Sequence, residues 1–356
     1  MTFDSTGDAR VNIVAQVAVL AYLSGATVDC VSGSPTYNCE GIWAGDPSAG
    51  LIKIARAGDP AVNAPGATYA DFGTVGNNRL AFNSYGQIAF VARLTGGTVD
   101  SGNDTAIYRG QTGGIAMVAR EGDDAPGGGI YDELSEPSIG RNGEVAFLAG
   151  SKLYLEGVRV AAVGDPAPRG GTFYSLSFPA IDDSLVFRAE VSDAGFLDTY
   201  VTLIGGELVE IVREGDSAPN TDGQSFTALY SNAVVNRCGQ IPFTAQISNG
   251  LKGLWIFHAD GTGVLVALQG QPSPAGPNYG TVFGYLSDRA ARTNLCDGGS
   301  RYFNDAGQVV FRTSLSDGST GLFRSATPDL PSSFIFADGF ESGDTSAWSS
   351  SEELRP

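Results

Sequence analysis

Asn83-Ser84-Tyr85-Gly86-Gln87-Ile88-Ala89-Phe90 reads as a turn feeding a strand, and the chain repeats it. The pattern returns as Gly140-Arg141-Asn142-Gly143-Glu144-Val145-Ala146-Phe147, as Asn236-Arg237-Cys238-Gly239-Gln240-Ile241-Pro242-Phe243 and as Asn304-Asp305-Ala306-Gly307-Gln308-Val309-Val310-Phe311. A worn copy, Asp182-Asp183-Ser184-Leu185-Val186-Phe187, stands between the second and third, and a further start is read at Asp4-Ser5-Thr6-Gly7, ahead of Val11–Val17. The chemistry is local. Asn bonds its own backbone two residues on, and Gly takes positive φ without steric cost. The branched and aromatic run that follows favours a strand.

A second motif alternates with the first. It appears as Gly58-Asp59-Pro60-Ala61, Gly122-Asp123-Asp124-Ala125-Pro126, Gly164-Asp165-Pro166-Ala167-Pro168, Gly215-Asp216-Ser217-Ala218-Pro219 and Gly270-Gln271-Pro272-Ser273-Pro274. Each copy follows a short apolar run and closes it, because Pro cannot donate to a central ladder. Segments such as Ala106–Arg109 and Gly253–Phe257 supply a third strand, and Gly171–Leu176 a fourth. The starts near residues 4, 83, 140, 180, 236 and 304 define six units, the last five 57, 40, 56 and 68 residues apart. Four short strands per unit at this spacing predict an all-β chain folded as a β-propeller of about six blades, with five or seven blades or imperfect closure as alternatives. A parallel β-helix would have shorter and more even rungs. Residues 1–328 form the propeller in this reading, and 329–356 form a carboxy-terminal linker and tail.

The motifs resemble a bacterial exported tandem-repeat family with the signature Asn-x-x-Gly-x-x-Ala-Phe, over nearly the whole chain to about Pro328. The copy at Asp182-Asp183 departs from that signature. The resemblance implies an exported, surface-directed protein and no established activity. The end of the chain, through Gly339-Phe340-Glu341-Ser342-Gly343-Asp344 and Ala347-Trp348-Ser349, is similar to a short tail of exported Gram-negative proteins, which implies export or sorting. A disordered acidic tail is the bland alternative.

Composition narrows the function. A formal charge of −18 with three lysines, Lys53, Lys152 and Lys252, argues against nucleic acid, whose phosphates need basic partners. Met1–Arg10 is too acidic to begin a secretory signal, and the apolar Val11–Leu23 reads as the first strand. No run reaches the roughly 20 apolar residues of a transmembrane helix. The last unit lacks a closing Gly-Asp-x-Ala-Pro, so a blade completed by strands from before Met1, or an imperfect closure, is expected. Cys30 with Cys39, around a Gly/Pro/Asn loop, and Cys238 with Cys296 form two candidate disulfides, against four free thiols.

Catalytic signatures are sparse. The single histidine, His258, sits in His258-Ala259-Asp260-Gly261-Thr262-Gly263, a hairpin turn. The recurring Asp59, Asp123, Asp165 and Asp216 would lie in a ring and could hold Ca2+, yet Asp before Pro or Ser is ordinary turn chemistry and Gln271 interrupts the set. Departures from the repeat are the other candidates: Asp182 and Asp183, the Asp193–Tyr200 insertion and the loop Asp288–Arg301. Adjacent aspartates on a strand face opposite ways and make a poor acid/base pair. No catalytic, cofactor or metal residue is assigned. The expectation is an exported monomeric binding or scaffolding module for a glycan, an envelope component or a protein. A carboxylate-based polysaccharide hydrolase or lyase and a purely structural surface protein are the alternatives. A binder should expose Tyr37, Trp43 or Tyr279 on one face.

Overall fold

Turn, strand and Gly-Asp-x-Ala-Pro together build one antiparallel sheet per repeat, and six such sheets follow one another along the computed structural model. The structure describes residues 2–12, 14–31, 34, 36–46, 48–73, 80–177, 179–193, 195–285, 295–296, 299–300, 303–325 and 333–337. The first blade is Thr2–Val11, Val17–Ser24, Glu40–Gly45 and Ile52–Arg56. The second has a split inner strand, Thr68–Asp71 and Ala81–Asn83, then Ile88–Thr95, Thr105–Gln111 and Gly114–Arg120. The third is Ser138–Ile139, Val145–Ala149, Lys152–Leu155 and Val158–Ala162. The fourth again splits its inner strand, Thr172–Leu176 and Ala180–Ile181, before Leu185–Ser192, Phe196–Ile204 and Glu207–Arg213. The fifth is Phe226–Leu229, Ile241–Ile247, Lys252–Phe257 and Gly263–Leu268, and the sixth Tyr279–Tyr285, Val310–Leu315, Thr320–Arg324 and Ser333–Ala337.

Stacking makes these sheets blades. A single four-stranded sheet cannot cover both of its faces, and each sheet here shares a core with the next. Phe90 and Tyr108 pack with Ile42 and Ala55 of the first blade, and Phe147 and Tyr154 with Ile107 and Ala119 of the second. Phe173 and Phe187 meet Leu153 and Ala161, Phe226 and Trp255 meet Tyr200 and Ile211, and Tyr279 and Phe311 meet Leu254 and Ile256. Burial on both faces explains the near-continuous apolar runs: Ile88, Ala89 and Phe90 are each 0% exposed. The fold is a six-bladed β-propeller. Within the sixth repeat, Leu295–Cys296 adds in parallel to Phe82–Asn83 of the second blade.

Both sequence motifs are joints between blades. Asn83 Oδ1 accepts the N–H groups of Tyr85 and Gln87 at 3.1 and 2.9 Å. Its Nδ2 donates to Gln87 Oε1 at 2.8 Å and to Gly140 O of the third blade at 2.9 Å. Asn236 does the same, reaching Asn304 O of the sixth blade at 3.0 Å. The partner glycine is required twice over: Gly143 has φ 92° and Gly307 φ 73°, and a Cβ on either would stand 2.8 Å from Gln87 or Gln240 of the preceding blade. Gly-Asp-x-Ala-Pro is bonded in both directions to the aromatic residue of the next inner strand. Gly164 N–H donates to Phe173 O at 2.8 Å, and Phe173 N–H donates to Asp165 O at 2.9 Å. Gln271 keeps the same backbone bond with Tyr279, at 2.9 Å, which is why Gln is tolerated there.

Three expectations about the ends need correction. Asp4 lies inside the strand Thr2–Val11, and the first turn is at Asn12–Gln16, where Asn12 Nδ2 donates to Gln16 Oε1 at 2.8 Å and to Asn83 O at 3.1 Å. The strand read at Val11–Leu23 is therefore broken by that turn. Ala15 takes the glycine position with φ 61°, which hid the copy. Ser333–Ala337, assigned to the linker and tail, is the fourth strand of the sixth blade. Residues 338–356, with the Gly339–Ser349 motif, lie outside the described residues. No helix among the described residues is long and apolar enough to cross a membrane.

Candidate ligand-binding face

Antiparallel order places the loops between the second and third strands of every blade on the same rim as the Gly-Asp-x-Ala-Pro connectors. Near that rim the inner strands carry a bulge. The register slips between Tyr69 and Asp71, between Phe173 and Ser175, and between Phe226 and Ala228, so Ala70, Tyr174 and Thr227 occupy one repeated bulge position. In the second blade this position is small, and a cavity of about 710 Å3 opens between the first and second blades.

Its walls come from separate parts of the chain. The loop closed by the Cys30–Cys39 disulfide, with Cα atoms 4.9 Å apart, brings Ser34 and Tyr37. Asp29 organises that loop by accepting Ser34 Oγ–H at 2.5 Å, Thr36 Oγ1–H at 2.6 Å and Val31 N–H at 2.9 Å, and these bonds hold its carboxyl below the usual range. The opposite wall is Asp71, Arg93 and Asp104. Arg93 bonds Asp104 at 2.9 Å and stands 3.9 Å from Asp71.

Glu40 lies behind Tyr37, 3% exposed, and accepts Phe72 N–H at 3.4 Å. Burial first, then the charge of Asp71, pushes its carboxyl up to about 7 despite the hydrogen bonds from Phe72 and Tyr37. Burial and the charge of Glu40 push the Tyr37 phenol up to about 12. Glu121 does a similar job one blade on, accepting Leu134 N–H at 3.2 Å, and Glu214 accepts Leu229 N–H in the fifth blade. A carboxylate at the blade junction thus accepts a backbone N–H of the next blade's inner strand. Glu40 stands behind Tyr37, which lines the cavity.

The residues singled out by sequence scatter. Asp165 is clamped by Arg159 and accepts Ala162 N–H at 2.8 Å, while Asp216 pairs with Arg169 at 2.5 Å and accepts Arg213 N–H at 2.8 Å. Asp59 is paired with Lys53 at 2.8 Å. These three carboxylates serve turns and ion pairs. Asp182 is buried and Asp183 exposed, in the turn before Leu185–Ser192. His258 sits in its hairpin, its N–H bonded to Thr262 O at 2.7 Å. Trp43 and Tyr279 are not surface aromatics: they are 8% and 5% exposed, and Tyr279 is the inner-strand ring that packs 5.4 Å from Phe323. Only Tyr37 of that trio lines the cavity. Cys238 is a free, exposed thiol in the fifth-blade turn, whereas Cys296 belongs to the strand held on the second blade, so that pairing is not made. The side chain of Cys296 and most of the loop Asp288–Arg301 lie outside the described residues. Among the described residues no group of three His, Cys, Asp or Glu side chains could hold a metal.

Asp71, Arg93, Asp104 and Glu40 were missed by sequence reading. Aligning the repeats on the inner-strand aromatic, Tyr69, Tyr131, Phe173, Phe226 and Tyr279, would have exposed the bulge position and its neighbours.

The chain matches a family of unknown function, DUF7453, in two consecutive stretches, residues 1–158 and 158–333. It belongs to that family. The boundary falls at Val158, where the outer strand of the third blade begins, so each DUF7453 match covers about half of the ring. No curated protein matches the chain. Among solved structures, a prolyl endopeptidase is 11% identical with a TM-score of 0.47, over 94% of this chain and 42% of that one. This chain therefore spans less than half of the endopeptidase. A lectin of Aleuria aurantia, described as a six-bladed β-propeller, is 11% identical with a TM-score of 0.34, over 93% of each chain. The periplasmic gluconolactonase of Pseudomonas aeruginosa is 13% identical with a TM-score of 0.33, over 93% of this chain and 84% of that one.

Proposed function

We propose that this DUF7453 propeller is an exported binding module whose cavity between the first and second blades takes a carbohydrate. The observation that carries the reading is the convergence of Asp71, Arg93 and Asp104 opposite Tyr37 in one cavity. Carboxylate and guanidinium groups held by one another accept and donate to vicinal hydroxyls in fixed directions, and a phenol ring offers a face to the C–H side of a sugar. The acidic surface disfavours phosphate-rich polymers. Export is supported by the Cys30–Cys39 bond, which persists in oxidising compartments, and by the tandem-repeat and tail resemblances.

The test is a panel of polysaccharides and envelope fractions, scored for retention of the protein and for release of product. Retention without release, lost in Asp71→Asn, is the expected result. No retention of any sugar would overturn the reading and favour a protein partner or a structural role. One observation favours a second reading: Glu40, its carboxyl raised to about 7 by burial and by the charge of Asp71, could serve as an acid. Release of sugar, abolished by Glu40→Gln, would establish a hydrolase.

A further inference from the structure

The Asp193–Tyr200 insertion, a departure from the repeat, carries an aromatic pair that the cavity does not use. Tyr174 and Phe196 are 55% and 57% exposed, with ring centroids 4.5 Å apart and planes inclined by 54°. Both stand on the rim that bears the cavity. Tyr174 is the bulge residue of the fourth blade, and a bulge turns its side chain out of the ladder. Phe196 opens the third strand opposite Ser192.

The fold does not need these rings. Phe173, Phe187, Val191 and Val201 already fill the core beneath them, and the same bulge position holds Ala70 in the second blade and Thr227 in the fifth. Around the pair the rim is polar. Ser175 Oγ approaches Glu190 Oε2 at 3.5 Å, and Arg188 pairs with Asp198 at 2.6 Å. Residues 196 and 198 share one side of their strand by alternation, so hydrogen-bonding groups flank the rings.

We infer that Tyr174 and Phe196 form a second sugar subsite, for a pyranose unit within a neutral polysaccharide of equatorial hydroxyls. Such a sugar presents flat C–H faces to aromatic rings and hydroxyls to the flanking carboxylates. Two rings offer far less than the roughly 800 Å2 that each partner gives to a stable protein interface, which favours a narrow polymer over a second protein. The subsite rests on the carbohydrate reading of the cavity for its ligand class only. With the cavity on the same rim, it makes binding bivalent: a polymer long enough to span both gains by effective concentration, and a trisaccharide gains nothing.

The experiment is affinity electrophoresis in gels containing hydroxyethyl cellulose or glycol chitin, with calorimetry on the matching trisaccharides. Tyr174→Ala/Phe196→Ala should weaken polymer affinity by about 100-fold and leave trisaccharide binding and melting temperature unchanged, while Tyr174→Phe retains wild-type retardation. Asp71→Asn should abolish trisaccharide binding and keep a residual polymer retardation that the double aromatic variant lacks. Polymer retardation equal to wild type in the double variant would overturn the subsite and leave the cavity reading intact. Trisaccharide binding without polymer retardation in wild type would do the same. Self-association that disappears in the double variant, with no polymer bound, would reassign the pair to an interface between copies and overturn the proposal.

Discussion

The second and fourth blades carry the same bulge in the inner strand and end in opposite surfaces. In the second, Ala70 leaves room, and Tyr37 of the first blade faces Asp71 and Arg93 across a hollow. In the fourth, Tyr174 fills that position, stands out of the sheet and meets Phe196. The bulge is shared, so the surface follows from the side chain it carries and from the loops beside it: the Cys30–Cys39 loop by Ala70, and the Asp193–Tyr200 insertion by Tyr174. A repeat protein can thus vary its ligand surface without touching the motifs that hold its blades together.

Exchanging the two residues has the largest expected effect. Ala70→Tyr should convert the second blade to the fourth-blade surface and abolish trisaccharide binding, measured by calorimetry, with the fold intact by circular dichroism. Retained binding would mean that the cavity is not the site.

Glu40 gives the next effect. Its folded carboxyl titrates at about 7, above the ordinary 4.5, so between these values the folded protein holds a proton that the unfolded chain has released. Its contribution to stability is full below the ordinary value and is lost as pH rises through about 7. The slope is at most about 1.4 kcal/mol per pH unit. Melting temperature should fall from pH 5 to pH 8 in wild type, and Glu40→Gln should flatten that fall. An unchanged profile would remove Glu40 as its source.

Loss of the Cys30–Cys39 bond comes third. Cys30→Ser/Cys39→Ser should destabilise by about 2–3 kcal/mol in the chain-entropy model, read by denaturant titration. It should weaken the cavity through Ser34 and Tyr37 and spare polymer contact at Tyr174. The smallest change is Tyr174→Ala, with a stability effect within about 0.5 kcal/mol because its ring packs on the surface. A larger loss would show that the fourth-blade ring serves the fold, unlike Ala70.

What could be read in advance followed from locality. Asn83, Gly86 and Gln87 act within five residues, and Gly-Asp-x-Ala-Pro within a single connector, so their chemistry is written in adjacent letters. The first copy escaped because Ala15 stands at positive φ where Gly is expected, while Asp4-Ser5-Thr6-Gly7 imitates a turn inside a strand. Exposure of Trp43 and Tyr279 was misjudged because strand alternation says nothing about which blade covers a face. The candidate site was illegible for a related reason: Asp71, Arg93 and Asp104 look ordinary until strand pairing sets Asp71 opposite Arg93 and the ion pair adds Asp104.

The letters alone established that the chain repeats and that the repeat is turn and strand; about six blades and a Cys30–Cys39 loop were expectations that the structure bears out. These follow from short-range backbone preference, multiplied by repetition. Tertiary structure alone decided that Glu40 meets Phe72, that Tyr37 faces Asp71 and that Tyr174 meets Phe196. Each of these contacts joins separate strands or loops, and a one-residue slip at a bulge sets the direction in which a side chain points.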